Sequence, residues 1–202
     1  MSLRAFNLGF IIAAIFAVSF LTVSAQVDYE QFFDKSLSSA NAGMYVLGSW
    51  AVINIAAGGY GWSKYEGQQK YFSQMNLFWN IINLSIAGIA IYSNSQTGIS
   101  LLSDSEMLDK HLRTERILLI NAGLDIAYIG TGILMSHFSS RSSTKADLFK
   151  GYGNSIILQG SFLFVFDAVL YGILRNQKVE FLRNMEIDFS SQAVMLNFGI
   201  NF

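Results

Sequence analysis

Apolar residues in this chain gather into long stretches separated by short polar runs, and that pattern predicts helices over most of its length. Four stretches stand out: Asn41–Trp62, Tyr71–Tyr92, Arg116–Phe138 and Tyr152–Leu174. Each is near the roughly 20 residues that an α-helix needs to cross a hydrocarbon core. None is uniformly apolar, so each offers one face to lipid and another to protein. The pattern therefore predicts an all-α membrane protein, an antiparallel four-helix transmembrane bundle over residues 41–174.

The segments around the bundle differ in character. Residues 1–25 carry the parts of a signal peptide: Arg4, an apolar run from Leu8 to Val23, and Val23-Ser24-Ala25 as the cleavage signal before Gln26. Retention of this run as a first membrane helix is the alternative. Residues 26–40 form a short extracytoplasmic segment in which Asp28–Leu37 has the pattern of a surface amphipathic helix. In the C-terminal tail, 175–202, the period shifts towards two. Ile187 and Phe189 alternate with charged residues, and Val194, Leu196, Phe198, Ile200 and Phe202 follow, so a short β-like tail is expected.

Helix starts are marked by Ser63…Glu66, Ser103…Glu106 and, more weakly, Thr144…Asp147, each with the spacing of a capping box. Nothing between Asp104 and Phe138 breaks a helix, so the third helix is expected to run through both. Tyr60, Trp62, Tyr65 and Tyr71 flank the first connection as an aromatic belt. A cleaved signal would leave both mature termini extracytoplasmic in a bacterial, inner-membrane protein. The Lys and Arg residues do not divide clearly by the positive-inside rule.

An internal repeat underlies the helices. Trp50-x3-Asn54-x4-Gly59 matches Trp79-x3-Asn83-x4-Gly88, and the later helices keep a looser form in Asn121-x3-Asp125-x4-Gly130 and Leu163-x3-Asp167-x4-Gly172. The alignment places a polar residue mid-span in every helix. Asn76, Asn80, Asn83 and Ala87 share one helix face, as do Asn121, Asp125, Tyr128 and Gly132. Such residues are costly against lipid and should face the bundle interior. Asn54, Asn80, Asn83, Asn121, Asp125, Tyr128 and Asp167 are thus the candidate binding layer. Hydrogen bonding between helices would account for the asparagines by packing alone. The two aspartates ask for more, because no Lys, Arg or His lies inside a span beside them.

Composition narrows the chemistry. Charged residues make up 13% of the chain, against about 25% in soluble domains. A net charge of −1 supplies no basic field for nucleic acid. There is no cysteine, so thiolate metal sites and cysteine nucleophiles are excluded. His111 and His137 lie near opposite ends of one helix, too far apart for a shared haem, and both are expected at the interface. No zinc, nucleophile-elbow or phosphate-loop motif occurs, so no cofactor and no catalytic residue is expected.

The stretches Asn41-Ala-Gly-Met-Tyr-Val-Leu-Gly-Ser-Trp-Ala-Val-Ile-Asn-Ile and Tyr71-Phe-Ser-Gln-Met-Asn-Leu-Phe-Trp-Asn-Ile-Ile-Asn-Leu resemble an uncharacterised bacterial four-helix integral membrane family, a domain of unknown function. The resemblance implies the four-span fold over about Asn41 to Leu174 and assigns no residue a role. Two functions fit these features. One is a module that binds or transports a small polar solute or ion at the polar layer. The other is a structural or accessory subunit without a ligand. The lipid bilayer is the expected partner in both, joined by a membrane-protein partner or a second copy.

Overall fold

The structure, a computed structural model, describes residues 28–141 and 144–199. Helix α1 is Tyr29–Lys64, α2 is Gly67–Ser95, α3 is Asp104–Phe138 and α4 is Ala146–Gly199. Short 3-10 turns at Ile99–Leu101 and Ser139–Arg141 lead into and out of α3. All four α-helices are long and apolar enough to cross a membrane. No strand occurs among the described residues. The signal segment 1–25 and its cleavage point lie outside them.

Three expectations change. Asp28–Leu37 is not a separate surface helix. No Pro or Gly intervenes before Asn41, so the i→i−4 ladder runs on and the segment is the first part of α1. The β-like tail is also corrected, because α4 continues through the described residues to Gly199. A lone strand leaves its backbone groups unpaired, whereas a helix pairs them internally. Ile200 and Phe202 lie outside the described residues. Of the three capping boxes, one holds. Ser63 lies inside α1 and donates to the Tyr60 carbonyl at 2.8 Å. The residue before α2 is Glu66, with no side-chain cap, and the turn is made by Gly67 at φ +54°. Helix α4 begins at Ala146, so Thr144 is not its cap.

At α3 the box is complete. The Glu106 amide donates to Ser103 Oγ at 3.4 Å, and the Ser103 amide donates to Glu106 Oε2 at 2.9 Å. The Ser103 amide, and after it the Ser103 hydroxyl donating to Glu106 Oε2 at 2.7 Å, hold the Glu106 carboxyl below its ordinary value of 4.5. Glu106 is exposed and lies before the apolar stretch of α3. A lowered folded value means that the contribution is complete above the unfolded value and is lost as pH falls through the folded one. Hydrogen-exchange protection of the first turn of α3 should therefore decline below pH 4.5. Protection that declines equally in Glu106→Gln would remove the box as its cause.

The chain divides into two compact units, of which Glu30–Gln177 is the larger. In the smaller, Tyr29 meets Phe181 edge-on at 4.9 Å. Within the larger unit the helices run alternately up and down, and polarity is distributed opposite to a water-soluble core. Ile53, Ile82, Ile89 and Leu134 are more than half exposed, while Asn80, Gln159 and Ser155 are completely buried. A hydrocarbon surrounding favours that arrangement and water does not. Buried apolar side chains include a cluster of Leu118, Leu170 and Leu174, against which Met44, Phe166 and Tyr171 pack.

Glycines close one half of this unit, the half nearest the α1–α2 and α3–α4 connections. A Cβ on Gly132 would lie 2.6 Å from the Gly153 carbonyl oxygen, and one on Gly153 the same distance from that of Gly132. A Cβ on Gly151 would meet the Gln68 oxygen at 2.5 Å, and one on Gly58 the Ser73 oxygen at 2.8 Å. Backbone thus approaches backbone at α3–α4, α2–α4 and α1–α2.

Candidate polar site and its cavity

Midway along the helices, side-chain amides form a connected hydrogen-bond network. Trp50 Nε1 donates to Gln159 Oε1 at 3.0 Å, and Gln159 Nε2 donates to Asn76 Oδ1. Asn76 Nδ2 donates to the Asn54 carbonyl at 3.1 Å, which ties α1 to α2. Asn80 Nδ2 reaches the Asn76 carbonyl at 2.8 Å, and Asn83 Nδ2 reaches Asn80 Oδ1 at 3.4 Å. The three asparagines of α2 recur at i, i+4 and i+7, so one face of one helix carries the line. Phe162 stacks on Trp50 with centroids 3.9 Å apart and fixes the indole that starts it.

Beyond Asn83 the network gives way to a cavity of about 770 Å³ within the larger unit. Asn83, Asn121, Asp125, Tyr128 and Asp167 line its inner end. Asp125 and Asp167 are both buried and both line this end of the cavity. Asp125 is 2% exposed, and its Oδ2 is buried with no hydrogen-bond partner among the described residues. Lys110, His111 and Arg113 line the other end, near the α2–α3 connection. Arg113 is 12 residues from Asp125 on α3, or about 18 Å along the axis. The carboxyl pair therefore has no basic neighbour among the lining residues at its own depth.

The predicted layer is brought together only in part. Asn83, Asn121, Asp125, Tyr128 and Asp167 share the cavity, whereas Asn54 and Asn80 belong to the network outside its lining. Tyr128 packs edge-on against Trp79 at 4.9 Å, with 38% of its surface exposed. Gln159, the fully buried hub of the network, escaped the repeat alignment. Its signal is the i, i+4 pair Ser155 and Gln159 within the apolar stretch Tyr152–Leu174.

His111 has partners that the sequence did not reveal. It is 1% exposed and enclosed by protein, with Nδ1 2.7 Å from Ser36 Oγ and Nε2 3.3 Å from Glu115 Oε1. The Phe32 ring lies 4.8 Å from the imidazole. Reading α1 as beginning at Asn41 hid the apolar and polar partners that cover this histidine.

In all four helices the repeat position is buried, at Asn54, Asn83, Asp125 and Asp167. The glycine five residues on has nothing within 4 Å of its Cβ direction at Gly59, Gly88, Gly130 and Gly172. Those glycines are not close-packing positions within the bundle.

Fold and site together define a bundle of four apolar helices around a polar centre. Residues 46–168 match the family of unknown function DUF6992, and the chain belongs to that family. No curated protein and no solved structure matches it.

Proposed function

We propose that the chain is an integral membrane protein that binds a small polar solute or ion at the layer of Asn83, Asn121, Asp125 and Asp167. The observation that carries this reading is the buried, unpartnered Asp125 Oδ2 beside Asp167 at the inner end of a cavity. A layer serving only to join helices would satisfy its own polar atoms, as the Asn76–Gln159 network does. Glycine packing closes the far half, so water reaches the layer from one end. A signal cleaved before Gln26 would turn that end to the extracytoplasmic side of a bacterial inner membrane.

The absence of cysteine makes the test clean. In sealed cells, Asn121→Cys should be labelled by a small membrane-impermeant thiol reagent from the outside. Ser155→Cys, fully buried and outside the cavity lining, should resist it. Equal labelling of the two, or labelling of Asn121→Cys from the inside only, would defeat the one-ended reading.

A further inference from the structure

We infer that the ligand of this cavity is a lipophilic organic cation, its charge seated at Asp125 and Asp167 and its apolar body between α2 and α3. The inference rests on the binding reading above and narrows its substrate class.

Size is the first argument. About 770 Å³ is far more than a bare ion fills and lies within the roughly 300–1,000 Å³ typical of pockets for drug-sized molecules. The walls are the second. Ile82, Ile86, Leu118, Leu163 and Leu170 line the cavity together with the Trp79 ring. Such walls solvate hydrocarbon and, at the indole face, a delocalised positive charge. A small hydrophilic solute would leave them without partners.

Charge complementarity sets the sign. Asp125 and Asp167 are the acidic side chains of the lining. The lining has no positive group at that depth, and the bare Asp125 Oδ2 is an acceptor. Buried charge is tolerated when it is paired, and a positive charge completes this site.

The route of entry removes an apparent conflict with the basic rim. Lys110 and Arg113 repel hydrated cations arriving from water. Ile82, Ile86, Ile117 and Leu124 line the cavity and are also 48–60% exposed, so the cavity meets the outer surface between α2 and α3. A lipophilic cation dissolved in the bilayer reaches the carboxyl pair through that side, while the rim disfavours inorganic cations.

Tetraphenylphosphonium and tetraphenylborate have one shape and opposite charge, which makes them the discriminating probes. Equilibrium dialysis of the detergent-solubilised protein should show saturable binding of the phosphonium and much weaker binding of the borate. Asp125→Asn and Asp167→Asn should each weaken phosphonium binding by about tenfold or more, with helical content and elution volume unchanged. Asp125→Glu, which keeps the charge, should retain most of it. Preference for the borate would assign the cavity to the basic rim and overturn the inference. Equal affinity for both probes, or unchanged phosphonium binding in both Asn variants, would also overturn it. If the phosphonium neither binds nor protects Asn121→Cys while that residue is still labelled, the ligand class fails and the cavity stands. If Asn121→Cys is not labelled at all, the underlying binding reading fails.

Discussion

Replacing Gly153 with leucine is expected to prevent assembly of the bundle, while Gly88→Leu should leave it intact. A Cβ at position 153 meets the Gly132 carbonyl oxygen at 2.6 Å and the Ser136 amide nitrogen at 2.8 Å. Both are backbone atoms of a helix and cannot turn aside as a flexible side chain could. Overpacking of a fitted interior costs about 1–3 kcal/mol and sometimes more. At Gly153 the strain falls on the α3–α4 contact, and the remaining atoms of leucine have nowhere to go. Position 88 has nothing within 4 Å, so leucine there projects outward. Substitutions away from packed features usually stay within about 0.5 kcal/mol, and leucine is a better helix former than glycine. Thermal unfolding in detergent, followed by loss of the monodisperse elution peak, would rank the two. Gly132→Leu and Gly151→Leu should behave as Gly153→Leu, and Gly59→Leu, Gly130→Leu and Gly172→Leu as Gly88→Leu. If the outward set proved as damaging as the inward one, the outward glycines would have to touch a partner or a second copy.

The glycines of the repeat fall in the outward set, and the reason is geometric. A polar residue and a glycine five positions later are about 140° apart around an α-helix. If the polar residue faces inward, the glycine faces away. Of the glycines that matter, Gly132 shares the polar face of Asn121, Asp125 and Tyr128, whereas Gly151 and Gly153 have no such spacing and only the pairing of helices identifies them.

Periodicity and length sufficed for the four helices, the inward face of α2 and the unbroken α3, because these are properties of one helix at a time. Burial of Asp125 and Asp167 followed from the cost of charge against lipid. What the sequence withheld depended on contacts between helices. His111 looks peripheral until α1 is extended back to Tyr29 and supplies Ser36 and Phe32. The apolar alternation of the tail does not distinguish a strand from a helix over so few residues, and backbone satisfaction without a neighbouring strand decides for the helix. Capping boxes arise wherever Ser and Glu fall three apart. Only Ser103–Glu106 coincides with a real helix start, because Gly67 makes the turn that Ser63 would otherwise have marked.

Gln159→Leu should destabilise the bundle through the network and open its floor. Gln159 is completely buried and bridges α1 and α2 by accepting from Trp50 Nε1 and donating to Asn76 Oδ1. Leucine is close to glutamine in size, so the main loss is polar. Asn76 Oδ1 still receives Asn80 Nδ2 at 3.3 Å, but the Trp50 donor is left without its acceptor. An unsatisfied buried donor costs about 1–3 kcal/mol. Trp50→Phe removes that donor while keeping an aromatic ring for the stack on Phe162. In the Trp50→Phe background, Gln159→Leu should therefore cost less than in the parent, with a coupling of about 0.5–3 kcal/mol in a double-mutant cycle on unfolding. Strict additivity would show that the indole finds another acceptor and that the bridge does not hold the helices. The same network separates the cavity from the glycine-packed half, so its loss has a second readout. Ser155→Cys, resistant to the impermeant thiol reagent in the parent, should become labelled once Gln159 is leucine. Continued resistance would mean that the glycine contacts alone seal the far half.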